Sequence, residues 1–209
     1  MDYSWIVKRT LIQFFSRPIM RIEGSENIPK SGAYIIAPNH NCWADSPIII
    51  SALYKEIIKR KLFFIAASRK YKCLGGLPID WKNKGQVIET TLSLLEKGEI
   101  VGIFPEGGAN ESNSLLPGKT GLARLVLWSG CPVIPIGVIG TSGRGPITSS
   151  LKIFTPARYV TLKIGRPLHY EKINRSETTS KILHNTTEQI MEKIAELSGK
   201  NYNHGFPNT

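Results

Sequence analysis

The stretch Ala33-Tyr34-Ile35-Ile36-Ala37-Pro38-Asn39-His40-Asn41-Cys42-Trp43-Ala44-Asp45-Ser46-Pro47 decides the fold. Residues 33–37 form a short apolar run that reads as a buried strand, ended by Pro38 and Asn39. Asp45-Ser46-Pro47 offers an N-cap and a proline for the first helical turn, so the spacing predicts a helix over residues 47–59. Strand, polar turn and helix in that order make one step of an open α/β sheet. Such sheets put their ligands at the carboxyl ends of strands, which is where His40 stands. Asp45, five positions on, adds a carboxylate that can hold the imidazole in one tautomer and stabilise its charged form.

The same alternation runs along the chain. Apolar strands are expected over residues 61–67, 100–104, 132–139 and 159–164, and helices over 84–97, 120–128 and 176–197. In the first of these helices Val87, Ile88, Leu92, Leu94 and Leu95 face inward, and the last carries Ile182, Leu183, Ile190 and Ile194 on one side. Residues 73–79, rich in Gly and Pro, read as a loop. The fold class is therefore α/β, a single domain with a mostly parallel central sheet and helices on both faces. Residues 1–22 are assigned to an N-terminal amphipathic helix, 23–198 to the domain and 199–209 to a flexible polar tail. The N-terminal segment combines Trp5, Leu11, Phe14 and Phe15 with Lys8, Arg9 and Arg17. That composition suits a helix lying in lipid headgroups or one packed on the domain's own core.

At 209 residues, with 41% hydrophobic and 21% charged side chains, the chain has the makeup of one globular domain. The formal net charge of +11 calls for an anionic partner: nucleic acid, anionic lipid, a phosphorylated substrate or an acidic carrier protein. No helix-turn-helix, RNP or zinc pattern interleaves the basic clusters with aromatics, which argues against nucleic acid. Part of that charge is solvated surface. Three cysteines without metal-ligand spacing fit reduced thiols and no metal site. No run approaches the roughly 20 apolar residues that span a bilayer, and residues 1–20 lack the pattern of a signal peptide.

Taken alone, a histidine followed by an aspartate is a weak signal. It gains weight from its company: Phe104-Pro105-Glu106-Gly107 after another apolar strand, then Val133-Ile134-Pro135-Ile136-Gly137-Val138. With these motifs in this order the chain resembles the PlsC-type glycerolipid acyltransferases, the lysophosphatidic acid acyltransferase family, over about residues 24–168. His40 and Asp45 occupy the family's His-x-x-x-x-Asp motif, residues 104–107 its Phe-Pro-Glu-Gly motif, and Pro135 its proline-rich strand. Gly118-Lys119-Thr120-Gly121 looks like the Lys-x-Gly step that follows in many members.

The resemblance implies transfer of a fatty acyl group from acyl-CoA or acyl-carrier protein to the hydroxyl of a lysophospholipid, lysophosphatidate first, at the cytoplasmic face of a membrane. The acyl donor is then a substrate, and no cofactor is needed. His40 would be the general base and Asp45 its orienting partner, while Glu106, Gly107, Gly108, Lys119 and Pro135 would meet the substrate. Two departures bear on the acceptor. Ile79-Asp80-Trp81-Lys82 stands where an Ile-Asp-Arg step is common, so Lys82 or Lys84 must supply the cation without an arginine's bidentate fork. Gly108-Ala109-Asn110 replaces the usual Thr-Arg-Ser.

Competing readings are an acyltransferase for another acceptor, such as a lyso-aminolipid, and a non-catalytic membrane-surface protein. Gly118-Lys119-Thr120 is not a phosphate-binding P-loop, because Asn113 stands where the first glycine belongs. Cys42 reads as a packing residue rather than an acyl-accepting nucleophile, and Trp43 and Trp81 as core or as walls of a lipid path.

Overall fold

The computed structural model describes residue 10 and residues 12–57, 60, 62–66, 76–78, 84–142 and 158–204. Seven strands form one sheet: β1 (Ile19–Glu23), β2 (Tyr34–Pro38), β3 (Leu62–Ala66), β4 (Gly76–Pro78), β5 (Ile100–Gly102), β6 (Val133–Ile139) and β7 (Val160–Ile164). Their order across the sheet is β1-β7-β6-β2-β5-β3-β4, and every pairing is parallel except β6 with β7. The helices are α1 (Asp45–Ala52), α2 (Tyr54–Ile57), α3 (Lys84–Glu96), α4 (Gly121–Ser129) and α5 (Ser180–Ser198), with residues 12–16 also helical.

Strand β2 is buried along its whole length, as a central parallel strand with helices on both sides must be. Its side chains alternate between two cores. Tyr34 and Ile36 join Ile48, Ile49 and Leu53 of the α1 region, together with Phe15. Ile35 and Ala37 face Leu92 and Leu95 of α3, Leu122 and Leu125 of α4, and Ile190 and Ile194 of α5. This is the expected α/β architecture, with helices on both faces.

Several expectations are corrected. Residues 19–23 are an edge strand of the sheet, so the domain begins before residue 23. Gly76–Pro78 is strand rather than loop, paired parallel to β3. The helix predicted over 47–59 starts at Asp45 and breaks at Leu53. Its N-cap is Ala44, and the Asp45 carboxylate turns back onto the preceding loop. The tail is not free: residues 200–204 are hydrogen-bonded into the domain. Residues 1–9, which carry most of the expected membrane-surface helix, lie outside the described residues. Arg60, one of the basic clusters, is a staple rather than a loose surface charge. Its guanidinium donates to the carbonyls of Pro29, Gly32 and Gly98 and lies over the Tyr34 ring.

The carboxyl end of α5 lies against β6. A Cβ placed on Gly137 would stand 2.4 Å from the carbonyl carbon of Leu197 and 2.5 Å from the Ser198 nitrogen, both backbone atoms that cannot rotate away. Gly137→Ala is therefore expected to lift the last turn of α5 and destabilise the protein by about 2–3 kcal/mol, the upper end for overpacking. Urea unfolding checks it, and an unchanged midpoint would show that the helix end yields at no cost.

Candidate active site

Three adjacent parallel strands, β5, β2 and β6, end at the same edge of the sheet. Their exits bring together His40, Phe104 to Asn110, and Val138 to Thr141. The Asn39 side chain fastens the first exit to the third, accepting from the Val138 amide at 2.6 Å and donating to the Val138 carbonyl at 3.1 Å. Asn41 adds bonds from Nδ2 to the Val138 carbonyl (3.0 Å) and to Thr141 Oγ1 (2.9 Å).

Within this frame His40 is held at four points. Its Nδ1 lies 2.9 Å from Asp45 Oδ2, its amide donates to Glu106 Oε1 at 2.8 Å, and its carbonyl accepts from the Asn110 amide at 2.7 Å. The ring stacks on Phe104, centroids 3.9 Å apart and planes at 18°, with Phe64 behind at 5.4 Å. A carboxylate facing Nδ1 only accepts, so Nδ1 carries the proton and Nε2 keeps its lone pair. Among the described residues none bonds Nε2. The His40 side chain is 18% exposed while that of Asp45 is fully buried. An imidazole so held is set to take a proton at Nε2 from a group arriving from solvent or lipid.

The Asp45 carboxylate is itself fixed. Oδ2 also accepts from the amides of Asn41 (2.7 Å) and Cys42 (2.8 Å), and Cys42 Sγ donates to Oδ1 at 3.7 Å. These donors compensate the buried charge and set the direction in which it meets the imidazole. Cys42 is buried, in keeping with a packing role.

The structure changes the roles expected of other motif residues. Glu106 is only 2% exposed, and both its oxygens are taken, Oε1 by the His40 amide and Oε2 by the Leu116 amide at 2.9 Å with Asn110 Nδ2 at 3.5 Å. It braces the backbone of His40 instead of reaching an acceptor. Pro135 is buried within β6, its ring beside Gly165 and its carbonyl bonded to the Gly165 amide, a packing position and not a substrate contact. The Gly107 amide closes a turn onto the Phe104 carbonyl, and a Cβ there would strike the side chain of Lys119. Gly107 and Lys119 are thus neighbours, and Lys119 is exposed beside the loop. Around Gly108 there is open space. Lys82 lies outside the described residues, as does the side chain of Lys84.

Sequence reasoning missed Asn39, Asn41, Asn110 and Lys200. The two asparagines flank His40, and polar side chains at a buried strand exit could have marked them. Lys200 donates from Nζ to Asn41 Oδ1 at 2.6 Å and to the Asn110 carbonyl at 3.0 Å. Burial pulls its pKa below the ordinary lysine value, opposed by the carboxylates of Glu106, Asp45 and Glu111.

Comparison with known proteins bears on what this site does. The model of the family described as Acyltransferase matches residues 19–139. The chain is 27% identical over 191 residues to a 1-acyl-sn-glycerol-3-phosphate acyltransferase of Bacillus subtilis (strain 168), covering 87% of this chain and 89% of that one. It is 31% identical over 126 residues to the human 1-acyl-sn-glycerol-3-phosphate acyltransferase alpha, spanning 56% of this chain and 44% of the human protein. Its fold matches the crystal structure of the 1-acyl-sn-glycerophosphate (LPA) acyltransferase PlsC from Thermotoga maritima with a TM-score of 0.64 at 22% identity, over 94% of this chain and 82% of that one.

Proposed function

This chain belongs to the Acyltransferase family and is an O-acyltransferase, and from that premise we propose that it esterifies the free hydroxyl of lysophosphatidate with a fatty acyl group, giving phosphatidate. The observation that carries the reading is the His40 ring, bonded through Nδ1 to a buried carboxylate and unbonded at Nε2 among the described residues. In the proposed reaction Nε2 takes the proton of the acceptor hydroxyl as its oxygen attacks the thioester carbonyl of acyl-CoA or acyl-carrier protein. The carbon–oxygen bond forms, the carbon–sulfur bond breaks, and the imidazolium returns the proton to the departing thiolate. No acyl-enzyme is needed. Asp45 stabilises the imidazolium in between.

The net charge of +11 supports attraction to an anionic bilayer or an anionic donor. Among the described residues no helix is long and apolar enough to cross a membrane. We place the protein on the cytoplasmic face of a membrane, where Met20, Ile22 and Leu116 offer exposed apolar side chains. A second acceptor class, the lyso-aminolipids, is favoured by Trp81 where an arginine would grip phosphate.

Mass spectrometry of products from a panel of lyso-lipids, each with acyl-CoA and with acyl-carrier protein, tests the proposal with His40→Ala as the blank. Phosphatidate from lysophosphatidate is the expected product. Acylation of another lyso-lipid with indifference to lysophosphatidate selects the second class, and no thiol release with any pair defeats both.

A further inference from the structure

Lys200 lies beyond the residues that match the family and yet reaches the atoms on either side of His40. The geometry that puts it there is specific. Helix α5 ends over β6, and Gly199, left-handed at φ 70, caps it by donating to the Ala195 carbonyl and turns the chain back toward the site. The segment that follows then runs beside residues 113–115: Asn201 donates to the Asn113 carbonyl at 2.9 Å and accepts from the Leu115 amide at 2.9 Å. Tyr202 donates to Glu188 Oε1 at 2.8 Å, tying the segment to α5 as well. Lys200 thus extends from an anchored backbone.

Its ammonium joins two loops that are otherwise separate in the chain. One bond goes to Asn41, the residue after His40, and the other to the carbonyl of Asn110, whose amide holds the His40 carbonyl. It also places a positive charge near Asp45 and Glu106, the two buried carboxylates that grip His40 at the ring and at the amide. Charge-assisted bonds of this kind are short and directional, and small displacements of a catalytic base are amplified in rate.

We propose that Lys200 is a positioning residue of the acyl-transfer site, clamping the Asn41 and Asn110 loops so that His40 meets its substrate in register, and that residues 199–204 are a working part of that site. The inference rests on the reading of His40 as the base. Lys200→Met keeps the aliphatic stem and removes the ammonium. It is expected to lower kcat about 10- to 100-fold, the scale of an ångström's misplacement, with both KM values unchanged, because the clamp acts on the base and not on ground-state binding.

Lys200→Ala leaves room for a small amine, so added methylammonium or ethylammonium should restore part of its kcat, while tetramethylammonium, which has charge but no N–H donor, should not. A KM for the acceptor that rises alone would overturn the proposal by making Lys200 a substrate contact. Unchanged kcat in both variants, or equal recovery with tetramethylammonium, would overturn it too. The same assay keeps the two readings apart. A wild-type protein inert toward every substrate pair removes the base mechanism, whereas an active wild type with an inert His40→Ala and an unaffected Lys200→Met removes the clamp alone.

Discussion

His40→Ala is expected to lose about 10²- to 10⁴-fold in kcat, the contribution usual for a positioned general base, while the protein stays folded. The loss falls on kcat because the imidazole acts on the proton that moves in the transition state, and acceptor and donor KM should change little. The stability cost is small by comparison. Removing the ring forfeits the stack on Phe104 and the bond from Nδ1, yet Asp45 Oδ2 keeps the Asn41 and Cys42 amides as donors. A cost of about 1–2 kcal/mol is the scale for one hydrogen bond to a charged group and its contacts. Release of thiol from the acyl donor, followed spectroscopically beside a thermal melt of the same sample, separates the two effects. Turnover at the wild-type rate would remove His40 from the mechanism altogether.

Much of the frame behind that prediction is legible in the sequence, and the reasons are local. Strand β2 announces itself because a parallel strand buried on both faces must be a continuous apolar run, and the polar turn after it has nowhere to go but the sheet edge. Strand β1 does not, because an edge strand needs little apolar content: Met20, Arg21 and Ile22 are all exposed. The start of α1 misleads for an instructive reason. Aspartate before Ser-Pro has the chemistry of an N-cap, but here the same carboxylate accepts from the two amides of the loop before it, since the site needs that charge beside His40.

Partnerships across long separations are the part that composition and spacing could not supply. Glu106 lies 66 residues from His40 and Lys200 lies 159 from Asn41, so only the closed fold brings them into contact. The reading of Glu106 as an acceptor ligand came from motif likeness, and burial decides against it: a carboxylate with both oxygens bonded to backbone and amide donors has nothing left to offer a substrate. The site is therefore organised in tiers. His40 is exposed enough to react, Asp45 and Glu106 are buried and fix its ring and its backbone, and Lys200 and the asparagines fasten those supports to their neighbours. Such tiers keep a reactive group within a few tenths of an ångström of its working position.

Asp45 carries the second large effect, and two substitutions divide it into charge and geometry. In Asp45→Asn the amide oxygen can take the place of Oδ2 and still accept from Nδ1 of His40 and from the Asn41 and Cys42 amides, while the new NH₂ faces Cys42 Sγ on the other side. The tautomer survives and the fold should melt near the wild-type temperature. What is lost is the negative charge that stabilises the imidazolium as the hydroxyl proton arrives, and kcat is expected to fall by about 10²-fold or more. Asp45→Ala removes the acceptor itself. Two buried amides are then unpaired at about 1–3 kcal/mol each, so this variant should lose stability as well as activity. The pair acts as a unit, which gives a sharper check than either loss alone: His40→Ala combined with Asp45→Asn should be no slower than His40→Ala by itself. If the two losses multiply instead, Asp45 acts on the reaction by some route other than His40, and the bond between them is not the one that turns the imidazole into a base.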